Sequence, residues 1–307
     1  MVVVNVMKEQ YPCFNSVAIE TASMCNRNCK FCPVSMSRRP DELMSDKLYR
    51  KIIDDLVSIN YRGRISFYIY NEPLRDKRLP VIIRYASQAL PKACLMVATN
   101  GDYVKKRYDI ARLFDEGLNQ LQVNIYSELR AKFLTSIMAE IKDWCGLEEN
   151  GSIYTWISPK RRTFEVCHKY VLPWGKYQLQ NRSGQIDYPT GTEHLQFPLE
   201  KMCVRPFRFL NINWRGQGLV CCNDYHAKQP IGDVSVSHIM DVWNSHIMNW
   251  YRIRLQNKVR AMLLCAKCDY NGGVYQGNIR RVTFGTELDK VYTRYRKLSS
   301  ASELCDV

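Results

Sequence analysis

Three cysteines lie close together near the start of the chain, in the sequence MCNRNCKFCP. Cys25, Cys29 and Cys32 follow a CxxxCxxC spacing. A structural zinc site has four protein ligands, and a conventional 4Fe–4S cluster is held by four thiolates. Three thiolates leave one metal position open, as catalytic metal sites do. The motif therefore predicts a metal centre whose last position is filled by something other than this loop.

A second group of cysteines lies in the last third of the chain, in the order C-x17-CC-x42-C-x2-C: Cys203, Cys221, Cys222, Cys265 and Cys268. Its members come from separated segments, as the ligands of Cys₄ sites do. If Cys221 and Cys222 lie on a strand, their side chains point in opposite directions, so we expect only one of them to bind metal. Zinc remains an alternative to an iron–sulfur cluster here, because four thiolates alone do not distinguish the metals.

The elements that must position these groups are predicted by an alternation of short apolar runs and helical stretches. This alternation is typical of βα units around a parallel sheet, which carries function at the carboxyl ends of its strands. The first run leads directly into the CxxxCxxC loop. The predicted strands are SVAIE (16–20), RISFYIY (64–70), CLMVATN (94–100), LQVNIYS (121–127) and IYTWIS (153–158), and helices are expected at about 45–57, with Ser45 as N-cap, and at about 78–90, 103–116 and 128–146.

The alternation ends after about residue 158. The stretch 159–200 is rich in Gly, Pro, Ser and Gln and is predicted to be a linker with little regular structure. The segment 208–222 alternates around Arg215-Gly216-Gln217, which indicates a β-hairpin. A helix is expected at about 237–256.

Composition narrows the class of protein. The chain has 307 residues, 13 cysteines and a formal net charge of +14. It shows no apolar run long enough for a membrane span and no signal-peptide pattern at its start, so we expect a cytoplasmic enzyme whose clustered cysteines bind metal and do not form disulfides. The basic residues are spread along the chain, which favours an acidic electron donor such as flavodoxin or ferredoxin, or an anionic substrate, over nucleic acid.

The CxxxCxxC motif, with Phe31 before its last cysteine, resembles the radical S-adenosylmethionine (SAM) enzymes. Asn71-Glu72-Pro73 after the second strand is similar to the Gly-Glu-Pro sequence of that family, with Asn71 in place of glycine. The resemblance implies an α/β fold, a partial (β/α)6 radical SAM barrel, in which SAM fills the open iron position of a 4Fe–4S cluster. It also implies cleavage of SAM to a 5′-deoxyadenosyl radical that abstracts a substrate hydrogen.

The same resemblance implies roles for residues at the strand ends. Glu72 matches the residue that accepts hydrogen bonds from the methionine ammonium group of SAM; its other interpretation is a solvated carboxylate. Asn100, Asn124 and Tyr126 fall where the family binds ribose and adenine. Phe31 is expected to contact adenine, with plain loop packing as the alternative.

The second cysteine group resembles the SPASM/twitch extension of these enzymes. No further run of cysteines follows CAKC, which matches the shorter twitch form with a β-hairpin plus helix and one auxiliary 4Fe–4S cluster. The resemblance implies Cys203, Cys221, Cys265 and Cys268 as its ligands. The predicted division is 14–160 for the radical SAM core, 161–202 for a linker with possible substrate contacts, 203–275 for the auxiliary domain and 276–307 for the tail.

The stretches GRISFYIYNEPL, TNGD and QNRSG are similar to a dehydrogenase branch of this family. In that branch Arg182, within QNRSG, would contact substrate; a purely structural turn is the alternative. The resemblance implies oxidation of a hydroxyl-bearing cyclitol or amino sugar, with the auxiliary cluster accepting an electron. Candidate proton acceptors are His168, Tyr170 and Tyr188. The alternatives are crosslinking or epimerisation of a ribosomally made peptide and, more remotely, an iron–sulfur or zinc protein that binds nucleic acid.

Overall fold

The computed structural model describes residues 11–125, 148–149, 155–157, 163–168, 180–186 and 194–272. The first part of the chain is a βα series, and its helix bounds agree with the sequence expectation to within a few residues. The elements are β1 (Ser16–Ile19), α1 (Asp46–Ser58), β2 (Arg64–Ser66), α2 (Leu79–Ala89), β3 (Cys94–Thr99), α3 (Arg107–Asp115) and β4 (Gln120–Ile125). The helix expected at 128–146 lies outside the described residues.

The second part of the chain adds further strands and three helices. These are β5 (Glu148–Glu149), β6 (Thr155–Ile157), β7 (Thr163–His168), α4 (Arg205–Arg208), β8 (Phe209–Ile212), β9 (Gln217–Leu219), β10 (Pro230–Asp233), α5 (Ile239–Trp243) and α6 (His246–Gln256). Together the described strands form one sheet in the order β10-β9-β8-β1-β2-β3-β4-β7-β6-β5. The six strands from β8 to β7 in that order are parallel, and the outer pairs are antiparallel.

Two sequence expectations about the middle of the chain are wrong. The run IYTWIS was expected to continue the parallel series, but β6 pairs antiparallel with β7, and β7 is the parallel neighbour of β4. The stretch 159–200 was expected to be a linker with little regular structure, yet its residues Thr163–His168 form β7 inside the sheet. The turn residues that fill most of this stretch concealed the short apolar alternation of Thr163–His168.

Helix α1 shows why the predicted elements form where they do. The Ser45 side chain accepts a hydrogen bond from the Leu48 amide at 3.2 Å, as expected of an N-cap. The buried face of α1 packs toward the sheet through Tyr49, Ile52, Ile53 and Leu56. This amphipathic pattern is what lets helices cover a parallel sheet whose own strands are buried.

The predicted hairpin exists and joins the main sheet. β8 and β9 are antiparallel, and β8 also pairs in parallel with β1, with Val17 opposite Leu210. The single helix expected at about 237–256 is instead two helices, because Ser245, with a ψ of 155°, is not helical and caps α6 by accepting from the Met248 amide. Along the described stretches, no helix is long and apolar enough to cross a membrane.

Candidate active site with two cysteine groups

The CxxxCxxC loop begins a few residues after β1 and brings its three thiols together. Cys25, Cys29 and Cys32 are half-buried, and the Cys32 amide donates to the Cys29 carbonyl at 2.9 Å. Burial, together with the neighbouring thiols of Cys32 and Cys25, raises the pKa of Cys29 to about 11. Three thiols that disfavour one another's ionisation suit a site where a cation replaces their protons.

A polar network fastens this loop to the end of β3. Arg27 donates to both carboxylate oxygens of Asp102, at 2.7 and 2.5 Å, and the Asn26 side chain donates to Asp102 at 2.8 Å. The Asn100 side chain donates to Asn26 at 2.8 Å and accepts from the Asp102 amide at 2.9 Å. The amide group of Asn100, predicted to lie near ribose or adenine, therefore holds the cysteine loop in place.

Glu72 lies at the end of the segment that follows β2, beside the cysteine loop. Its side chain is 2% exposed, so the alternative of a solvated carboxylate is wrong. The carboxylate accepts from Thr99 Oγ1 at 2.5 Å, from the Asn100 amide at 2.7 Å and from the Leu74 amide at 3.1 Å. Burial raises the pKa of Glu72, and these donors partly offset that effect. A buried, oriented carboxylate next to three thiols is suited to holding a cationic group.

Of the other residues expected to contact SAM or to accept a proton, some are described by the structure and others are not. Asn124 is half-buried near the end of β4 and accepts from the Gln122 side chain at 3.3 Å. Phe31 is half-buried within the cysteine loop. Tyr126, Tyr170 and Tyr188 lie outside the described residues, and His168 is the last residue of β7, opposite Ile125.

The second cysteine group comes together from three segments, as the sequence suggested. Electrostatic coupling links Cys203 with Cys268 and Cys265, and Cys221 with Cys203. Burial, together with the neighbouring thiols of Cys203 and Cys268, raises the pKa of Cys265 to about 12. The CxxC turn is closed by the Cys268 amide, which donates to the Cys265 carbonyl at 3.1 Å. Four thiols thus converge between the turn after β9 and the CxxC turn.

Two buried arginines, Arg205 and Arg260, lie beside the second cysteine group. Among the described residues, neither pairs with a carboxylate. Arg205 donates to Cys221 Sγ at 3.7 Å and stacks over Tyr270, with its guanidinium carbon 3.7 Å from the ring centre. Arg260 donates to the carbonyls of Lys201, Met202 and Tyr270 at 2.7, 3.0 and 2.5 Å. Buried positive charge needs compensation. Four thiolates around an iron–sulfur cluster carry net negative charge, so the residues fit such a group.

The expectation that Cys221 and Cys222 lie on a strand is wrong, so the alternation of side chains along a strand does not apply to them. Strand β9 ends at Leu219, and the chain then turns, with the Asp224 amide donating to the Cys221 carbonyl at 3.0 Å. Interaction between the two neighbouring thiols lowers the pKa of Cys222 and raises that of Cys221. Strand alternation therefore gives no reason to exclude Cys222 as a ligand.

Arg182 lies between the two cysteine groups. Its guanidinium is in electrostatic range of Cys32 in the first group and of Cys222 in the second, and also of the Tyr70 hydroxyl. Among the described residues, Arg182 Nε and Tyr70 Oη are buried without a hydrogen-bond partner. Burial raises the pKa of Tyr70 well above its usual value, so this hydroxyl stays protonated. Two unsatisfied donors here suit a polar ligand.

The backbone around Arg182 is fixed by its neighbours. The Asn181 amide donates to Asp269 at 2.7 Å, and the Asn181 side chain donates to the Lys267 carbonyl at 2.6 Å. Arg182 itself has a φ of 50°, a left-handed conformation that is uncommon for residues other than glycine. Asn181 therefore holds the turn in place, while the Arg182 guanidinium stays in electrostatic range of both cysteine groups.

Sequence reasoning missed several side chains of this site: Glu20, Arg39, Tyr70, Arg205 and Arg260. Glu20 could have been suspected, since a carboxylate at the carboxyl end of a buried strand is unusual. Arg39, Tyr70 and Arg260 lie in loops and Arg205 begins the short helix α4, and all four become part of the site only through contacts distant in sequence.

The described cysteines and acidic residues do not surround a single ion. Within the ranges that the structure describes, no group of three or more His, Cys, Asp or Glu side chains is arranged to hold one metal ion. A mononuclear zinc site draws its ligands to one point, whereas a 4Fe–4S cluster spreads its thiolates around a larger body.

Comparison with known families assigns each of the two cysteine groups to a known kind of region. Residues 19–128 match the model of the radical SAM superfamily, and residues 203–269 match that of SPASM, an iron–sulfur cluster-binding domain. The chain belongs to the radical SAM superfamily and carries a SPASM-type region, and its cofactors are SAM and iron–sulfur clusters. The sheet with a parallel core, followed by a hairpin and helices, is the partial radical SAM barrel with its auxiliary region.

Among characterised relatives, the chain is similar to the S-adenosyl-L-methionine-dependent 2-deoxy-scyllo-inosamine dehydrogenase of Niallia circulans. The two are 26% identical over 259 residues, which is 83% of this chain and 93% of the relative. The crystal structure of BtrN in complex with AdoMet and 2-DOIA is 25% identical, covers 84% of this chain and 93% of its own, and has a TM-score of 0.66. An open conformation of BtrN, 20% identical and covering 86% of this chain and 99% of its own, has a TM-score of 0.57 and shares the fold.

Proposed function

We propose that this enzyme oxidises a hydroxyl-bearing cyclitol or amino sugar by two electrons. The observation that carries the proposal is the position of the Arg182 guanidinium and the Tyr70 hydroxyl between the two cysteine groups. A polar substrate held there lies next to both redox centres. The similarity to a dehydrogenase over 83% of the chain supports the same substrate class.

The cysteines divide into two proposed ligand sets. Cys25, Cys29 and Cys32 hold a 4Fe–4S cluster with SAM at its open position, and Cys203, Cys221, Cys265 and Cys268 hold an auxiliary 4Fe–4S cluster. When bound, these groups supply abstraction of a hydrogen atom from the carbinol carbon and acceptance of the second electron.

The protein's own residues bind and orient SAM and the substrate. Glu72 accepts hydrogen bonds from the methionine ammonium group, with Thr99 and the Asn100 amide fixing its carboxylate. Arg182 donates to the substrate oxygen and stabilises the negative charge that develops when the hydroxyl proton passes to a base, for which His168, Tyr170 and Tyr188 are the candidates. Tyr70, which burial keeps protonated, donates to a second polar group of the substrate. The formal charge of +14 suits an acidic flavodoxin or ferredoxin as electron donor.

The test is an anaerobic assay with 2-deoxy-scyllo-inosamine and related amino cyclitols that carry deuterium at each carbinol carbon in turn. We expect one 5′-deoxyadenosine for each ketone formed, with deuterium from one position transferred to it. A redox-neutral product, or turnover of a ribosomally made peptide in place of the cyclitols, would show that the proposal is wrong.

A further inference from the structure

A buried ion pair lies where β1 meets the segment that follows the cysteine loop. Arg39 donates to both oxygens of Glu20, at 3.0 and 2.7 Å, and the two side chains are 9% and 1% exposed. Glu20 comes directly after β1 and also accepts from the Tyr70 amide at 2.9 Å. The pair therefore ties the Arg39 segment to the central sheet with a bidentate geometry that only arginine provides.

The same guanidinium is enclosed by two aromatic rings of the SPASM-type region. Its carbon lies 4.5 Å from the ring centre of Trp214 and 4.4 Å from that of Tyr225. Trp214 is in the turn between β8 and β9, and Tyr225 follows the Cys221–Cys222 turn. A cation over aromatic faces in a desolvated setting is a favourable contact. One side chain thus links the core that carries the first cysteine group to the region that carries the second.

Two hydrogen bonds flank this contact. The Tyr225 hydroxyl donates to the Ser37 carbonyl at 2.8 Å, and the Trp214 indole donates to Glu42 at 2.6 Å. The segment from Ser37 to Glu42 is therefore attached to the SPASM-type region at three points.

The segment 37–42 is also the C-terminal part of the loop that carries the first cysteine group. The Ser23 amide donates to the Glu42 carbonyl at 3.0 Å, and the Met44 amide donates to the Thr21 carbonyl at 2.8 Å, which closes the base of the loop. Near its other end, the Ser35 hydroxyl donates to the Cys32 carbonyl at 2.8 Å. The segment 37–42 is therefore joined to Cys32 through the hydrogen-bonded turn of residues 33–37.

We propose that Arg39 is a positioning residue that fixes the first cysteine loop against the SPASM-type region and so holds the two redox centres in register for coupled turnover. Its loss removes the central one of the three attachments to the SPASM-type region and leaves the buried Glu20 carboxylate without its cation, but removes no cysteine. Hydrogen abstraction then continues, but fewer of these events end in oxidised product. The expected loss of oxidised product rests on the proposed function, whereas the expected change in hydrogen–deuterium exchange does not.

The experiment compares Arg39→Met and Arg39→Lys with the wild-type holoenzyme. Hydrogen–deuterium exchange of peptides covering 36–44 and 214–226 is measured together with the ratio of ketone to 5′-deoxyadenosine. We expect exchange in both peptides to rise about tenfold in Arg39→Met. The product ratio should fall at least severalfold while cleavage of SAM is largely retained. The exchange and product ratio of Arg39→Lys should lie between those of Arg39→Met and wild type. Lysine keeps the positive charge but cannot make the two parallel hydrogen bonds of a guanidinium.

Arg75→Gln is the matched control. Arg75 pairs with Asp41 in the same segment at 2.9 Å, but the pair is largely exposed, with side chains 29% and 61% accessible. This variant should match wild type in exchange and in product ratio. Unchanged exchange in Arg39→Met, or an equal rise in Arg75→Gln, would overturn the proposal.

If Arg39→Met fails to fold, Tyr225→Leu tests the same contact from the other side, because it leaves the Arg39–Glu20 pair intact. It should raise exchange in 36–44; wild-type exchange there would overturn the proposal. If the wild-type enzyme yields no ketone, the proposed function fails while the exchange comparison still decides the role of Arg39.

Discussion

Buried charged side chains mark the functional positions of this protein. Glu20, Glu72, Arg205 and Arg260 are all below 10% exposed. Burying a charge is costly unless partners compensate it, and these residues make several hydrogen bonds each. Glu72 has no cationic partner among the described residues, which is consistent with a cationic ligand. Arg205 and Arg260 face thiols, which is consistent with an anionic one.

Replacing Glu72 by Gln tests its proposed contact with SAM. A hydrogen bond to a charged group contributes about 1.5–3 kcal/mol, so the Kd for SAM should rise ~10–100-fold. The control is Glu116→Gln, whose carboxylate pairs with exposed Arg84. Calorimetric titration of the iron-loaded enzyme measures both. An unchanged Kd in Glu72→Gln would remove this residue from the SAM site.

The same carboxylate predicts a pH dependence. Burial raises the pKa of Glu72, so the ionised form that binds an ammonium group is lost at a higher pH than for an ordinary glutamate as pH falls. The affinity of the wild-type enzyme for SAM should therefore weaken under mildly acidic conditions. The Glu72→Gln variant should lack this component. Parallel pH profiles in the two proteins would contradict the assignment.

Arg182 is tested by Arg182→Gln, with exposed Arg84→Gln as the control. Loss of a charged donor to substrate should lower kcat/KM for the cyclitol ~10–100-fold, while SAM cleavage without substrate stays near wild type. A steady-state assay of ketone formation checks this. Equal values of kcat/KM in Arg182→Gln and wild type would leave Arg182 as part of a structural turn only.

Residue types and local spacing reveal only part of this site. The cysteines and Glu72 are recognisable because their spacing lies within one loop or at one strand end. Arg39 is not, since its aromatic partners Trp214 and Tyr225 are about 180 residues away and are defined by tertiary packing. Tyr70 likewise gains its role through burial.

At the scale of elements, the parallel pairing of β8 with β1 matters most. Because the two strands run in the same direction, the turn that carries Trp214 and the first cysteine loop both follow the carboxyl ends of neighbouring strands. The hairpin itself was predictable from its alternation, but its position was not, because nothing in a local pattern specifies which strand a hairpin joins. The helices of the first half were predictable because each combines a periodic apolar face with its own boundaries.

Strand β9 is packed so closely that it has no room for a side chain at Gly218. A Cβ there would lie 2.5 Å from Val242 Cγ1 and 3.0 Å from Ile231 Cγ1. Gly218→Ala should cost about 1–3 kcal/mol by overpacking and lower the Tm of the holoenzyme by about 2–8 °C.

The double variant Gly218→Ala/Val242→Ala is the companion measurement. Because Val242→Ala makes space at the contact, the double variant should lose less stability than the sum of the two single variants. Additive losses measured by thermal unfolding would show that β9 and α5 do not press on each other at this point.

At the scale of the whole molecule, one continuous sheet supports both cysteine groups. The βα series and the similarity to radical SAM enzymes made the fold class predictable from sequence. The relation between the two groups was not predictable, because it depends on Arg182 lying between them and on the Arg39 contact across the sheet edge.

The central claim is that the two cysteine groups have different tasks. The measurement that tests it most directly is SAM cleavage and ketone formation in Cys265→Ala/Cys268→Ala, compared with Cys25→Ala/Cys29→Ala/Cys32→Ala. Each variant is first shown to be folded and to retain about four irons, the content of one cluster. The second-group variant should still release 5′-deoxyadenosine but form no ketone, and the first-group variant should do neither. Ketone formation at the wild-type rate without Cys265 and Cys268 would contradict the account.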